Sequence, residues 1–85
     1  MKFLEFESHA ELDDEVNGAR KKFPGNRFLL AALTEELGEL AQAYLQKQGR
    51  KRVRKEALQV ACVAMRIYEE GDSAFDDITS EESKA

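Results

Sequence analysis

Tryptophan is absent from this chain, and proline, histidine and cysteine occur once each. Each scarcity closes a class of explanation. One cysteine, Cys62, cannot build a disulfide framework. One histidine, His9, cannot supply the Glu-x-x-His pairs of a ferritin-like di-iron bundle. No apolar run reaches the length of a membrane span, and Met1-Lys2-Phe3-Leu4-Glu5 lacks the apolar core of a signal peptide. A reducing, cytoplasmic setting without membrane contact is therefore the expectation. The five glycines, Gly18, Gly25, Gly38, Gly49 and Gly71, are scattered and form no phosphate-binding loop. A net charge of −4 argues against affinity for a nucleic-acid polymer. It leaves room for a nucleotide, whose phosphates can arrive with a metal ion.

What is abundant favours helices: Ala, Leu, Glu, Lys, Gln and Arg dominate. The 85 residues are expected to form one small all-α domain, with residues 79–85 a frayed acidic tail. Residues 1–6 alternate weakly and fit a short extended arm or an extra helical turn. Ser8 with Glu11 fits a capping box, and Leu12, Val16, Ala19 and Phe23 recur at helical spacing. These signals predict a first helix over about 9–23, ended by Pro24-Gly25. Asn26 is the expected N-cap of a second helix over about 27–48, with Gly49 as its C-cap. Leu30, Leu33, Leu37, Leu40 and Tyr44 give that helix an apolar stripe. After the basic run Arg50-Lys51-Arg52-Val53-Arg54-Lys55, a third helix is expected over about 53–70, closed by Gly71. A polar turn or short final segment over 72–77 follows.

From Ala57 to Ile67 only Gln59 and Arg66 are strongly polar, so the third helix is apolar on every face. A helix of that kind is buried all round. Three helices cannot easily surround one of their own. The expectation is a homodimer whose four-helix core is built from the second and third helices of each copy. Cys62 reads as buried packing, and Met65 and Tyr68 as core or interface residues.

The chemistry-bearing pattern is acidic. Glu36 and Glu39 lie three apart in Leu33-Thr34-Glu35-Glu36-Leu37-Gly38-Glu39-Leu40, so a helix points them the same way. Glu56 opens the most apolar helix, and an antiparallel turn would bring its face back beside theirs. Two readings stand at this point: a divalent-cation cluster between two helices, or a solvated acidic face. Gly38, inside an otherwise strong helix, would let a backbone or a ligand approach closely.

This segment resembles the E-E-x-x-E motif of the MazG-like, all-α nucleoside triphosphate pyrophosphohydrolases. That superfamily includes dimeric dUTPases and phosphoribosyl-ATP pyrophosphohydrolases. Glu56 matches the glutamate of the family's second motif, E-x-x-D. The similarity covers about residues 26–72, and the run Arg66-Ile67-Tyr68-Glu69-Glu70-Gly71-Asp72 is similar to short phage or mobile-element members. It departs at Gln59, where the family has aspartate. Asp72 is too far along a continuous helix, about 20 Å, to replace it.

The resemblance implies a dimer or tetramer that hydrolyses a nucleoside triphosphate to a monophosphate and pyrophosphate with Mg²⁺, for which Mn²⁺ can substitute. Glu36, Glu39 and Glu56 would hold the metal, with Gln59 an outer ligand or hydrogen-bond donor. Glu35 would orient or deprotonate the attacking water. Arg52, Lys55, Lys22 and Arg27 are the candidate phosphate contacts, each otherwise a surface charge. Phe23 and Phe28 are candidate base-stacking groups, or else core aromatics. The alternatives are a nucleotide-binding module with a weakened metal site, since Gln59 brings no charge, and a purely structural helical dimer.

Overall fold

The computed structural model describes residues 7–75, with side-chain environments from Ala10 onward. Three helices and one short 3₁₀ turn make up the described chain: α1 (Glu7–Lys22), α2 (Leu29–Leu45), α3 (Arg50–Glu70) and a 3₁₀ turn at Ser73–Phe75. The described residues include no strand. No helix among them is long and apolar enough to cross a membrane. The expected arm at 1–6, the end of the 72–77 segment and the tail at 79–85 lie outside the described residues.

The three expected helices are present, and each differs from expectation at an end. Helix α1 already includes Ser8, so the capping box does not mark its start. Its last turn closes where Phe23 N–H donates to the Ala19 carbonyl at 2.8 Å. Helix α2 is shorter than expected at both ends. At its C-terminus Lys47 adopts a left-handed φ of 53°. The Gln48 N–H then reaches the Ala43 carbonyl at 3.0 Å, and the Lys47 N–H reaches the Tyr44 carbonyl at 3.2 Å. This is a Schellman closure with lysine at the position glycine usually takes. Gly49 therefore does not cap α2. It is the residue before α3, with φ 100°, and its carbonyl accepts from Val53 N–H. The basic run at 50–55 is consequently helical, three residues earlier than expected.

The start of α2 shows the larger departure. Asn26 does not cap it; its Nδ2 donates to the Glu70 carbonyl at 2.7 Å. The cap is Asp72, from the other end of the chain. Its Oδ1 accepts from Phe28 N–H at 2.9 Å and its Oδ2 from Leu30 N–H at 2.8 Å. Oδ1 also accepts from Ala74 N–H at 3.0 Å, which shapes the 3₁₀ turn. A carboxylate here satisfies orphan donors and favours the positive end of the helix dipole. These hydrogen bonds hold the Asp72 carboxyl below the usual range, the Leu30 N–H contributing most.

Helix α3 is the middle element, with α1 and α2 both packed against it. That placement accounts for much of its apolar circumference without a second copy. A stripe remains open, however: Ala57, Ala64 and Tyr68 are exposed, the tyrosine at 86%. The stripe on α2 divides likewise. Leu33 and Leu40 are half-buried, while Leu30, Leu37 and Tyr44, seven apart, are exposed. Among the described residues the buried apolar side chains are Val16, Leu29, Ala43 and Cys62. A core this thin leaves much apolar surface in water.

Candidate metal centre

Leu29, Glu36 and Ala43 lie seven apart on α2, which puts them on one face two turns from one another. Leu29 and Ala43 are buried, and α2 packs against α3. Glu36 thus occupies the place in the seam where an apolar side chain would be expected. Opposite, on α3, Glu56 is 4% exposed. Glu39, one turn beyond Glu36 and exposed, completes the group and leaves it open to solvent. One carboxylate oxygen from each of Glu36, Glu39 and Glu56 lies within 4.8 Å of the other two.

Electrostatics in this cluster are unfavourable as it stands. Burial pushes the Glu36 carboxyl above its ordinary range, and the charges of Glu39 and Glu56 push it further. The closeness of the Glu39 carboxyl and the charge of Glu35 act in the same direction. Glu56 Oε1 pairs with Arg52 Nε at 3.2 Å. Glu56 Oε2 and Glu36 Oε2 are buried with no hydrogen-bond partner. Leaving a buried acceptor unsatisfied costs about 1–3 kcal/mol, more for a charged group. Two such atoms in one cluster of three carboxylates fit a hard divalent cation, which takes oxygen ligands and supplies the missing charge.

The remaining expected site residues are distributed. Gln59 lies one turn past Glu56, but its Nε2 donates to Glu15 Oε2 on α1 at 2.9 Å. It is thus engaged with a carboxylate that the sequence pattern did not single out. Glu35 is exposed beside the cluster. Arg52 and Lys55 lie at the cluster's end of α3, Arg52 in the ion pair and Lys55 exposed. Lys22 and Phe23 instead line an open groove of about 560 Å³ between α1 and α3, together with Asp14, Glu15, Lys21 and Gln59. Phe23 and Phe28 are both exposed, so neither is a core aromatic. Phe28, at a left-handed φ of 66°, carries the Arg27 guanidinium 4.8 Å from its ring centre. Arg27 and Phe28 therefore belong to the α1–α2 turn, apart from the Arg52 end. Gly38 has nothing near the position of a Cβ, so no part of the described chain uses the space it leaves.

Cys62 is buried as expected. Burial raises its thiol pKa, Glu15 adds to the effect and Arg66 opposes it. That environment keeps it a packing residue in its neutral form. The sequence reading missed Glu15 as the partner of Gln59 and Asp72 as a cap, because both act across 42 or more residues. Comparison with protein-family models, curated proteins and solved structures gave no match.

Proposed function

We propose that this chain binds a divalent cation through Glu36, Glu39 and Glu56 and uses it to hydrolyse a nucleoside triphosphate to a monophosphate and pyrophosphate. The observation that carries the cation site is the pair of buried, unpartnered oxygens on Glu36 and Glu56. The choice of reaction rests on the resemblance of the two acidic motifs to the MazG-like pyrophosphohydrolases. When bound, magnesium or manganese would offset charge on the phosphate oxygens. Glu35, exposed and next to Glu36 in the chain, is the carboxylate available to take a proton from the attacking water. Attack at the α-phosphorus forms one P–O bond and breaks the bond to the bridging oxygen, so pyrophosphate leaves. Arg52 and Lys55 supply positive charge at that end of α3 for the phosphates. The groove beside Gln59, with Phe23 and Lys22 on its wall, has the polarity and one aromatic face suited to a nucleoside.

The proposed assembly is a homodimer, with a tetramer as a pair of dimers. It is supported by the exposed stripes Leu30–Leu37–Tyr44 on α2 and Ala57–Ala64–Tyr68 on α3. Light scattering of the purified chain checks this; a monomer at micromolar concentration would refute it.

The test of activity is release of pyrophosphate from a panel of ribo- and deoxyribonucleoside triphosphates with Mg²⁺ or Mn²⁺. Turnover is expected and should vanish in Glu39→Ala. A second reading, a binding module without turnover, is favoured by Gln59, which brings an amide tied to Glu15 in place of a carboxylate. Metal-dependent thermal stabilisation by a nucleotide, with no pyrophosphate formed, would select it. Under that reading Gln59→Asp should restore turnover.

A further inference from the structure

The Arg52–Glu56 pair is unequal. Glu56 is almost wholly buried, whereas the Arg52 side chain is 52% exposed at the rim. The guanidinium reaches in from solvent to one oxygen of Glu56 and leaves the other, Oε2, buried and unpartnered. A single cation from the chain therefore occupies part of a carboxylate group that has room for a stronger one.

We infer that Arg52 is a displaceable internal counter-ion: it holds Glu56 while the acidic cluster is empty, and a divalent cation expels it toward solvent, where it becomes an anion contact. The inference rests on the cation site proposed above. The geometry of α3 gives the released guanidinium a destination. Lys55 is three residues on from Arg52 and four from Lys51, so the three cations are helix-surface neighbours, and all are exposed. Arg52 swings between the Glu56 carboxylate and this basic surface by rotation of its own side chain, with no change in the backbone. The same movement makes cation and phosphate binding mutually reinforcing. Filling the cluster frees a phosphate contact, and a phosphate holding Arg52 outward removes the competitor from Glu56. Such reciprocity is required of any linked pair of sites. The ion pair lowers the fraction of molecules competent to bind the cation, so its removal should tighten cation binding by that fraction.

The experiment measures Mn²⁺ binding by calorimetry and by the paramagnetic resonance of free Mn²⁺, using the full chain. The proteins are the wild type, Arg52→Gln, Arg52→Lys and Lys55→Gln, with Glu39→Ala as the site control and circular dichroism to confirm the fold. Arg52→Gln is expected to bind Mn²⁺ about fivefold more tightly than wild type. Lys55→Gln, which removes the same charge without touching the pair, should change affinity by less than about twofold. Arg52→Lys, which keeps a cation within reach of Glu56, should return toward the wild-type value. In the second arm inorganic triphosphate is added to the Mn²⁺-loaded protein; Arg52→Gln should bind it more weakly than wild type. Opposite changes in the two affinities are the signature of exchange. Equal tightening by Arg52→Gln and Lys55→Gln, or no tightening by Arg52→Gln, overturns the exchange while leaving the cation site standing. Absence of Mn²⁺ binding in both wild type and Arg52→Gln overturns the cluster itself and the exchange with it.

Discussion

The two ends of α3 bury charge in opposite ways. At the C-terminal end Arg66, 4% exposed, donates to the Gly25 carbonyl at 2.6 Å and pairs with Glu70 at 3.1 Å. Glu70 also receives Arg20 from α1 at 2.8 Å, and Asp72 distributes its two oxygens among three backbone donors. At the N-terminal end Glu56 and Glu36 each keep a buried oxygen with no partner. One chain thus contains a completed polar network and an incomplete one, about ten residues apart on the same helix. The completed network ties the α1–α2 turn to α3. The incomplete one has what a ligand site needs: buried acceptors and an opening at Glu39. Satisfied buried charge marks where the fold is fastened, and unsatisfied buried charge marks where something else is to be added.

The largest test of this contrast is Arg66→Ala. It should lower unfolding free energy by about 2 kcal/mol, because it leaves Glu70 with Arg20 alone and removes the buried donor to the Gly25 carbonyl. Urea melts of the metal-free chain would measure it, and a loss well under about 1 kcal/mol would mean that the network is ornamental. Asp72→Ala should come next, with a melting temperature lower on the order of 5 °C and a frayed α2 start. Faster amide exchange at Phe28 and Leu30, with little change at the α3 centre, would locate the effect. Glu36→Leu should have the opposite sign, raising metal-free stability by about 1 kcal/mol while abolishing Mn²⁺ binding. Destabilisation by that change would show that the carboxylate is already satisfied in the folded chain.

The pH dependence divides along the same line. Glu36 has a raised folded-state pKa, so between its ordinary value and the raised one the native state holds more protons than the unfolded state. Through that window stability falls as pH rises. Glu70, lowered first by Arg66 and then by Arg20, and Asp72, lowered by backbone donors, behave the other way. Their contribution is complete above the ordinary carboxylate pKa and is lost as pH falls through their depressed folded values. The metal-free chain should therefore be more stable at mildly acidic pH than at pH about 8, then lose stability steeply in stronger acid. Glu36→Leu should flatten the first slope and leave the second, as thermal melts across pH would register.

The sequence made much of this legible. Helical periodicity located all three helices, and the i, i+3 spacing of Glu36 and Glu39 put them on one face. The apolar character of α3 placed Glu56 near the interior. The misplaced ends share a cause. Sequence reading assigns caps to the nearest suitable residue, Asn26 or Gly49, whereas here Asp72 closes the start of α2 from a distance and Lys47 accepts a left-handed φ at its end. Gln59 illustrates the same limit. Its spacing from Glu56 pointed it toward the cluster, but α1 offered Glu15 as a partner, and side-chain choices between helices are not written in local spacing. The α2 stripe could be seen, yet which of its leucines meet α3 and which remain in water depends on the crossing of helices, which periodicity does not specify.

Because the first turn of α2 is closed by Asp72, the start of that helix is not capped from its own neighbourhood. During synthesis, Phe28 and Leu30 emerge from the ribosome 42 or more residues before the carboxylate that secures them. Closure of the α2 start is therefore a late event that waits for Asp72. A nascent chain halted before Asp72 would carry an α2 open at its start, whatever had already formed behind it.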